Sequence, residues 1–130
     1  MTKPLALIID DDPKIAELFA LALETADFET VKAFDGKTAL EKLATLEPLL
    51  ITLDMYLPDA FGGDILRHIR QDDRLKNAWV VVATGEGKSL DAQIEADADF
   101  VLVKPLDIEQ LSRVVSRLQR RERKPNSAKS

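Results

Sequence analysis

The fold of this chain is decided by the stretch LITLD at residues 50–54, which runs directly into MYLP at 55–58 and a glycine pair at 62–63. An apolar, β-branched run that ends on an acid and enters a proline and glycine loop predicts a buried strand. Its last residue, Asp54, is then a carboxylate at the carboxyl end of that strand.

Three other apolar runs are followed by a residue that can take part in binding or catalysis. They are LALII at 5–9 before Asp10, Asp11 and Asp12, WVVVA at 79–83 before Thr84, and FVLV at 100–103 before Lys104 and Pro105. Ligands of open parallel sheets bind in the crevice outside the carboxyl ends of the strands. We therefore expect the four strand ends to form one site.

The composition limits what this site can be. The chain has 130 residues, 45% of them hydrophobic and 32% charged, which suits one globular domain. It has no cysteine and one histidine, His68, so disulfides, thiolate metal sites and multi-histidine sites within one chain are excluded. A formal net charge of -5 argues against direct binding of nucleic acid.

The two ends of the sequence carry expectations of their own. Residues 1–4 lead directly into a strand without the apolar region of a signal peptide, and no apolar run approaches the ~20 residues that span a bilayer, so we expect a cytoplasmic protein without membrane insertion. Residues 121–130 are basic and carry no apolar side chain larger than alanine, which predicts a disordered tail.

Helical spacing of apolar residues follows each strand. Pro13 after Asp12, Gly36 after Asp35, and Ile108 after Asp107 are typical helix starts. In the helix after 36, the apolar positions are Ala39, Leu40, Leu43 and Ala44. The helix at about 90–96 has only Leu90 and Ile94 as large apolar residues and should be the least firmly packed. Five alternations of strand and helix predict an α/β fold, a doubly wound parallel sheet of flavodoxin-like order 2-1-3-4-5 with helices on both faces.

In that order the first and third strands are neighbours, so Asp10, Asp11 and Asp54 should meet. Crowded carboxylates repel one another, and a bound divalent cation would neutralise this repulsion. A site with oxygen ligands alone favours Mg²⁺, or Mn²⁺ in its place. With Lys104 and Thr84 nearby, the group has the parts for phosphoryl transfer, with Asp54 as the nucleophile.

These residues together resemble the receiver domain of two-component response regulators: Asp10, Asp11, Asp54, Thr84 and Lys104 match its motif, with Pro58, Gly62 and Pro105 at the expected offsets. The resemblance covers about residues 4 to 120 and gives 1–120 as the receiver domain. It implies that Asp54 accepts a phosphoryl group from a histidine kinase or a histidine phosphotransfer protein. It also implies that Asp10, Asp11, Asp54 and the main-chain carbonyl of Tyr56 bind Mg²⁺, and that the Lys104-Pro105 bond is cis.

The resemblance further implies a switch made of Thr84, Gly85, Glu86, Val101 and Pro105, and an effector-binding face made of the fourth helix, fifth strand and fifth helix. In most of the family an aromatic residue occupies the position of Val101. Such a receiver is no enzyme beyond its own phosphorylation and dephosphorylation. We expect a stand-alone receiver and leave a homodimer open.

Two other functions remain as alternatives. A phosphorylation-independent interaction module of the same fold is favoured by Val101. A Mg²⁺-dependent phosphohydrolase is disfavoured because Tyr56, instead of a second acid, lies two residues beyond Asp54.

Overall fold

The computed structural model describes residues 2–85 and 90–120. Its strands are β1 (Leu5–Ile9), β2 (Glu29–Ala33), β3 (Leu50–Asp54), β4 (Trp79–Thr84) and β5 (Phe100–Val103). Its helices are α1 (Pro13–Thr25), α2 (Gly36–Thr45), α3 (Gly62–Gln71), α4 (Ala92–Asp97) and α5 (Ile108–Arg120). The expectations for Glu86 and for the tail at 121–130 lie outside the described residues.

All five strands pair in parallel in the order β2-β1-β3-β4-β5, which confirms the predicted fold class. The register between the two central strands pairs Ile9 with Leu53. The residues that follow, Asp10 and Asp54, therefore leave the sheet side by side. This pairing is what brings two acids from distant parts of the sequence to one point.

The side chains of the strands alternate between two hydrophobic cores. On β1, Ala6 and Ile8 belong to the core covered by α1 and α5, whereas Leu7 and Ile9 belong to the core covered by α2, α3 and α4. Every residue of β3 and β4 is buried, as expected for central strands of a parallel sheet. Among the described residues, no helix is both long enough and apolar enough to span a membrane.

The starts of α1 and α5 follow the sequence signals. Asp12 accepts a hydrogen bond from the amide of Lys14 at 2.9 Å, and Asp107 accepts one from the amide of Gln110 at 2.8 Å. These caps satisfy amides that the first turn of a helix leaves without a partner.

Helix α3 begins differently, because its N-cap residue, Phe61, makes no capping hydrogen bond with its side chain. The amide of Gly62 donates to the carbonyl of Met55 at 2.6 Å. A Cβ atom on Gly62 would collide with the main-chain oxygen of Asp54 and lie 2.7 Å from Met55 Cα. Glycine is required here because α3 starts directly against the end of β3.

Helices α2 and α4 differ in detail from their sequence patterns. Of the apolar positions of α2, Leu40 is 41% exposed and Ala44 is exposed, because the helix buries only the narrow stripe of Gly36, Ala39 and Leu43. Helix α4 begins at Ala92, later than the expected residue 90, and ends at Asp97. Ile94 is its only buried residue, which confirms the expectation of weak packing.

Candidate functional site

Three carboxylates meet at the carboxyl edge of the sheet. One oxygen from each of Asp10, Asp11 and Asp54 lies within 4.8 Å of the others. Asp10 is 1% exposed and Asp54 is 6% exposed, whereas Asp11 faces solvent. The adjacency of β1 and β3 produces this cluster, as the sequence predicts.

Lys104 reaches the two buried acids from the end of β5. Its Nζ lies 3.2 Å from Asp10 Oδ2 and 3.4 Å from Asp54 Oδ2. Its amide donates to the carbonyl of Thr84 at 2.8 Å, which joins the ends of β4 and β5. The peptide bond between Lys104 and Pro105 is cis, as the family resemblance implies.

Burial makes ionisation of Asp10 and Asp54 less favourable than it is in water. The pKa of Asp10 is raised to about 6, chiefly by burial and also by the charge of Asp54, although the Asp12 amide and Lys104 act to lower it. Burial also raises the pKa of Asp54, against the lowering effect of Lys104. Burial alone would lower the pKa of Lys104, but Asp10 and Asp54 more than offset this and raise it above its ordinary value.

Main-chain amides fix the orientation of both carboxyl groups. The amide of Asp12 donates to Asp10 Oδ1 at 2.9 Å, and the amide of Tyr56 donates to Asp54 Oδ1 at 3.3 Å. Each acid therefore has one oxygen held by its own loop. The other oxygen faces Lys104.

Two buried side-chain oxygens at this edge have unused hydrogen-bonding capacity among the described residues. Thr84 Oγ1, on a residue that is 2% exposed, has no hydrogen-bond partner, and Asp10 Oδ2 has its ion pair with Lys104 at 3.2 Å. Buried polar groups are normally satisfied, so this edge has room for a further polar partner. An all-oxygen donor set of three carboxylates fits a hard divalent cation such as Mg²⁺.

Of the expected switch residues, Thr84 ends β4 and Val101 lies on β5, whereas Glu86 is outside the described residues. Gly85 is half-buried and Pro105 is exposed. Val101 is 38% exposed on β5, while its neighbour Phe100 packs on the opposite face of the strand with the guanidinium carbon of Arg117 5.4 Å from its ring centre.

The structure adds two residues that sequence reasoning did not select. Phe61 contacts Tyr56, with ring centres 5.6 Å apart, and both side chains are largely exposed beside the acids. Asp59 accepts hydrogen bonds from the first two amides of α2. The position of Asp59 directly after Pro58 was the only signal in the sequence, and it is equally typical of a solvated turn.

The chain is similar to known proteins over most of its length. A family model described as the response regulator receiver domain matches residues 6–116. The DNA-binding dual master transcriptional regulator RpaA of Synechocystis is 37% identical over 129 residues, covering 97% of this chain and 54% of that protein. The DNA-binding response regulator MtrA of Mycolicibacterium smegmatis is 34% identical, covering 92% of this chain and 52% of that protein.

The chain thus spans about half the length of these curated relatives. Solved structures match over nearly the whole chain. The chemotaxis response regulator CheY4 of Vibrio cholerae has a TM-score of 0.80 at 27% identity, covering 90% of this chain and 99% of that one. A CheY-like response regulator receiver domain from Methylobacillus flagellatus has the same TM-score, identity and coverage.

Proposed function

Because this chain belongs to the response regulator receiver family, we propose that Asp54 accepts a phosphoryl group from the phosphohistidine of a histidine kinase or phosphotransfer protein. The observation that carries the proposal is the buried carboxylate of Asp54, 3.4 Å from Lys104 and within 4.8 Å of Asp10 and Asp11. A receiver of two-component signalling needs this combination of a nucleophile, a cation and a metal site.

The residues of the chain have distinct roles in the transfer. A carboxylate oxygen of Asp54 bonds to phosphorus while the bond from phosphorus to the histidine nitrogen breaks, and that nitrogen keeps the electron pair. Lys104 neutralises one phosphoryl oxygen, and the Thr84 hydroxyl donates a hydrogen bond to another. Water later attacks the same phosphorus, the bond from phosphorus to the Asp54 oxygen breaks, and inorganic phosphate leaves. The free carboxylate is restored, so the chain catalyses only its own phosphorylation and dephosphorylation.

Asp10, Asp11, Asp54 and the main-chain carbonyl of Tyr56 would hold Mg²⁺, or Mn²⁺ in its place. The bound ion supplies positive charge that offsets the negative charge of the carboxylates and of the arriving phosphoryl group. The closely spaced oxygens of Asp10, Asp11 and Asp54, with a single lysine beside them, support this assignment.

The output of the receiver is proposed to pass through Thr84, Gly85, Val101 and Pro105 to the face made of α4, β5 and α5. Val101 and Val103 are 38% and 48% exposed on β5, which supports contact with an effector protein or a second copy of the chain. The net charge of -5 supports a protein partner over direct contact with nucleic acid.

The test is the intact mass of the chain after incubation with Mg²⁺ and acetyl phosphate. We expect a gain equal to one HPO₃ group that requires Mg²⁺ and disappears in Asp54→Asn. The matched control is Asp73→Asn, which removes a carboxylate that is 95% exposed and lies near the opposite edge of the sheet, before β4. An adduct that persists in Asp54→Asn would contradict the assignment of Asp54.

The second candidate function is an interaction module that works without phosphorylation, and Val101 at the usual aromatic position favours it. Beryllofluoride, which mimics a phosphoryl group but is not hydrolysed, separates the two functions. If neither an adduct nor Mg²⁺-dependent beryllofluoride binding is found, the interaction module is the better description.

A further inference from the structure

The loop between β3 and α3, residues 55–61, is fastened to the start of α2 by Asp59. The amide of Gly36 donates to Asp59 Oδ1 at 2.7 Å, and the amide of Lys37 donates to Asp59 Oδ2 at 3.0 Å. Both amides lie in the first turn of α2, where they have no acceptor within the helix. The carboxylate also complements the positive end of the helix dipole.

Helix α2 already has a cap of its own. Asp35 directly precedes the helix and accepts a hydrogen bond from the amide of Thr38 at 2.7 Å. Asp59 comes from a loop more than 20 residues further along the chain. The specific effect of Asp59 is therefore to join two loops, in addition to satisfying amides of α2.

The contact between the loop and α2 is close. A Cβ atom on Gly36 would lie 2.5 Å from Ala60 Cβ and 3.1 Å from Asp59 Oδ1. Helix α2 and the loop can approach this closely only because residue 36 is glycine. Any larger residue at this position must push the loop away from α2.

The loop is held together by its own hydrogen bonds, so a movement of its tip should also move its base. The amide of Leu57 donates to the carbonyl of Ala60 at 3.0 Å, and Tyr56 forms a short antiparallel bridge with Phe61. The amide of Gly62 closes the base on the carbonyl of Met55. Displacement of Asp59 at the tip is therefore expected to move Tyr56.

We propose that Asp59 is a positioning residue for the metal site: by fastening the loop to α2, it holds the main-chain carbonyl of Tyr56 where a divalent cation can bind it. This inference rests on the proposed function, in which that carbonyl is a ligand. Groups that orient metal ligands without touching the metal typically change metal affinity by ~10- to 100-fold when removed.

The test compares four variants of the full chain: Asp59→Ala, Asp59→Asn, Asp35→Ala and Gly36→Ala. The Mg²⁺ dissociation constant is measured by titration calorimetry, and the melting temperature is measured in EDTA. We expect Asp59→Ala and Asp35→Ala to lower the melting temperature similarly, on the order of 4 °C, because each removes a cap from α2. Of these two variants, only Asp59→Ala should weaken Mg²⁺ binding, by about 10-fold.

The other two variants separate positioning from helix stability. Asp59→Asn keeps one acceptor oxygen and should give a dissociation constant between those of the wild type and Asp59→Ala. Gly36→Ala retains both carboxylates but pushes the loop, and Asp59 with it, away from α2, so it should weaken Mg²⁺ binding even where Asp59→Ala fails to fold. In acetyl phosphate labelling, Asp59→Ala should need more Mg²⁺ for half-maximal rate and reach the wild-type rate at saturation.

Equal Mg²⁺ affinity of Asp59→Ala, Gly36→Ala and the wild type would overturn the positioning role and leave the proposed function intact. Equal weakening by Asp59→Ala and Asp35→Ala would also overturn it, because the effect would then follow helix stability. Failure of the wild-type chain to bind Mg²⁺ would instead contradict the proposed function on which the role rests.

Discussion

Thr52 and Thr84 are two buried threonines whose hydroxyl groups differ in their surroundings. Each is 2% exposed, and each hydroxyl oxygen lacks a hydrogen-bond partner among the described residues. Thr52 borders a small cavity in the apolar core between the sheet and α1 and α5, whereas Thr84 ends β4 at the acidic cluster. An unsatisfied hydroxyl costs stability in either place, but only the hydroxyl of Thr84 can meet a phosphoryl oxygen.

Replacement of either threonine by valine tests this difference. Thr52→Val and Thr84→Val should each raise the free energy of unfolding in EDTA by about 1 kcal/mol, measured by urea unfolding, because an unsatisfied buried hydroxyl is removed without a change in shape. Thr84→Val alone should slow labelling by acetyl phosphate, on the order of tenfold or more. Slower labelling in Thr52→Val would contradict the separation of core and site.

At the scale of the elements, Arg70 connects α3 to the segments that lead into β4 and β5. Its guanidinium group donates to the carbonyls of Lys76, Ala78 and Asp97, and it pairs with Asp99 at 3.0 Å. Asp99 in turn accepts the amide of Val80 at 2.8 Å. Because α4 contributes only one buried residue, Arg70 is a principal connection between α3, α4 and the edge of the sheet.

Arg70→Met should therefore lower the free energy of unfolding by about 3 kcal/mol, because the largely buried Asp99 loses its ion pair with Arg70. The side chains of Arg70 and Asp99 are each only 14% exposed. Amide hydrogen exchange should accelerate in α4 and β5 before the rest of the chain.

The control is Lys76→Met, which removes an ion pair with Asp73 whose side chains are 49% and 95% exposed. An exposed pair of this kind contributes less than about 1 kcal/mol. Equal destabilisation by the two variants would contradict the role assigned to Arg70.

At the scale of the whole molecule, the stability of the chain depends on the charge of its buried acids. Burial raises the pKa of Asp10 in the folded chain to about 6 from 3.8, so the folded state holds a proton there that the unfolded state has lost. The stability of the metal-free chain consequently falls as pH rises from about 4 to about 6, and the penalty is complete above that range.

Asp10→Asn removes this charge. In EDTA at pH 7 it should raise the free energy of unfolding by up to about 3 kcal/mol. The gain should vanish below about pH 3, where Asp10 is protonated in both the folded and the unfolded state. Added Mg²⁺ should stabilise the wild type far more than the variant. Urea unfolding at both pH values measures each effect, and a variant less stable than the wild type at pH 7 would contradict the argument.

Asp35→Asn is a control in which the expected change in stability has the opposite sign. The amide of Thr38 lowers the pKa of Asp35, so its stabilising effect is present above its unfolded pKa and is lost as pH falls through the folded value. At pH 7 this variant should be less stable than the wild type, and the difference should shrink at low pH.

Much of the fold and of the site could be predicted because each strand carries its own signal. The apolar runs end on Asp10, Asp54, Thr84 and Lys104, and parallel pairing then brings these ends together. Local patterns could not reveal contacts between distant loops. The contact between Asp59 and the start of α2 forms only when two loops meet at the edge of the sheet, and no local spacing in the sequence predicts it.

The exposure of Leu40 has a related cause. Spacing along the helix places Leu40 next to Ala39 and Leu43, but the width of the buried stripe depends on how much of α2 the sheet covers. That width is a property of the assembled molecule. The arrangement of Arg70 and Asp99 escaped prediction for the same reason, since 29 residues separate them.

The contribution of β5 to the site has a consequence for synthesis of the chain. All three carboxylates lie in the first half of the sequence, whereas Lys104 follows the last strand to emerge from the ribosome. A nascent chain in which β1 and β3 have paired would carry the clustered carboxylates without Lys104 beside them. If Mg²⁺ binds these carboxylates as proposed, the ion would also balance their charge while the domain is being synthesised.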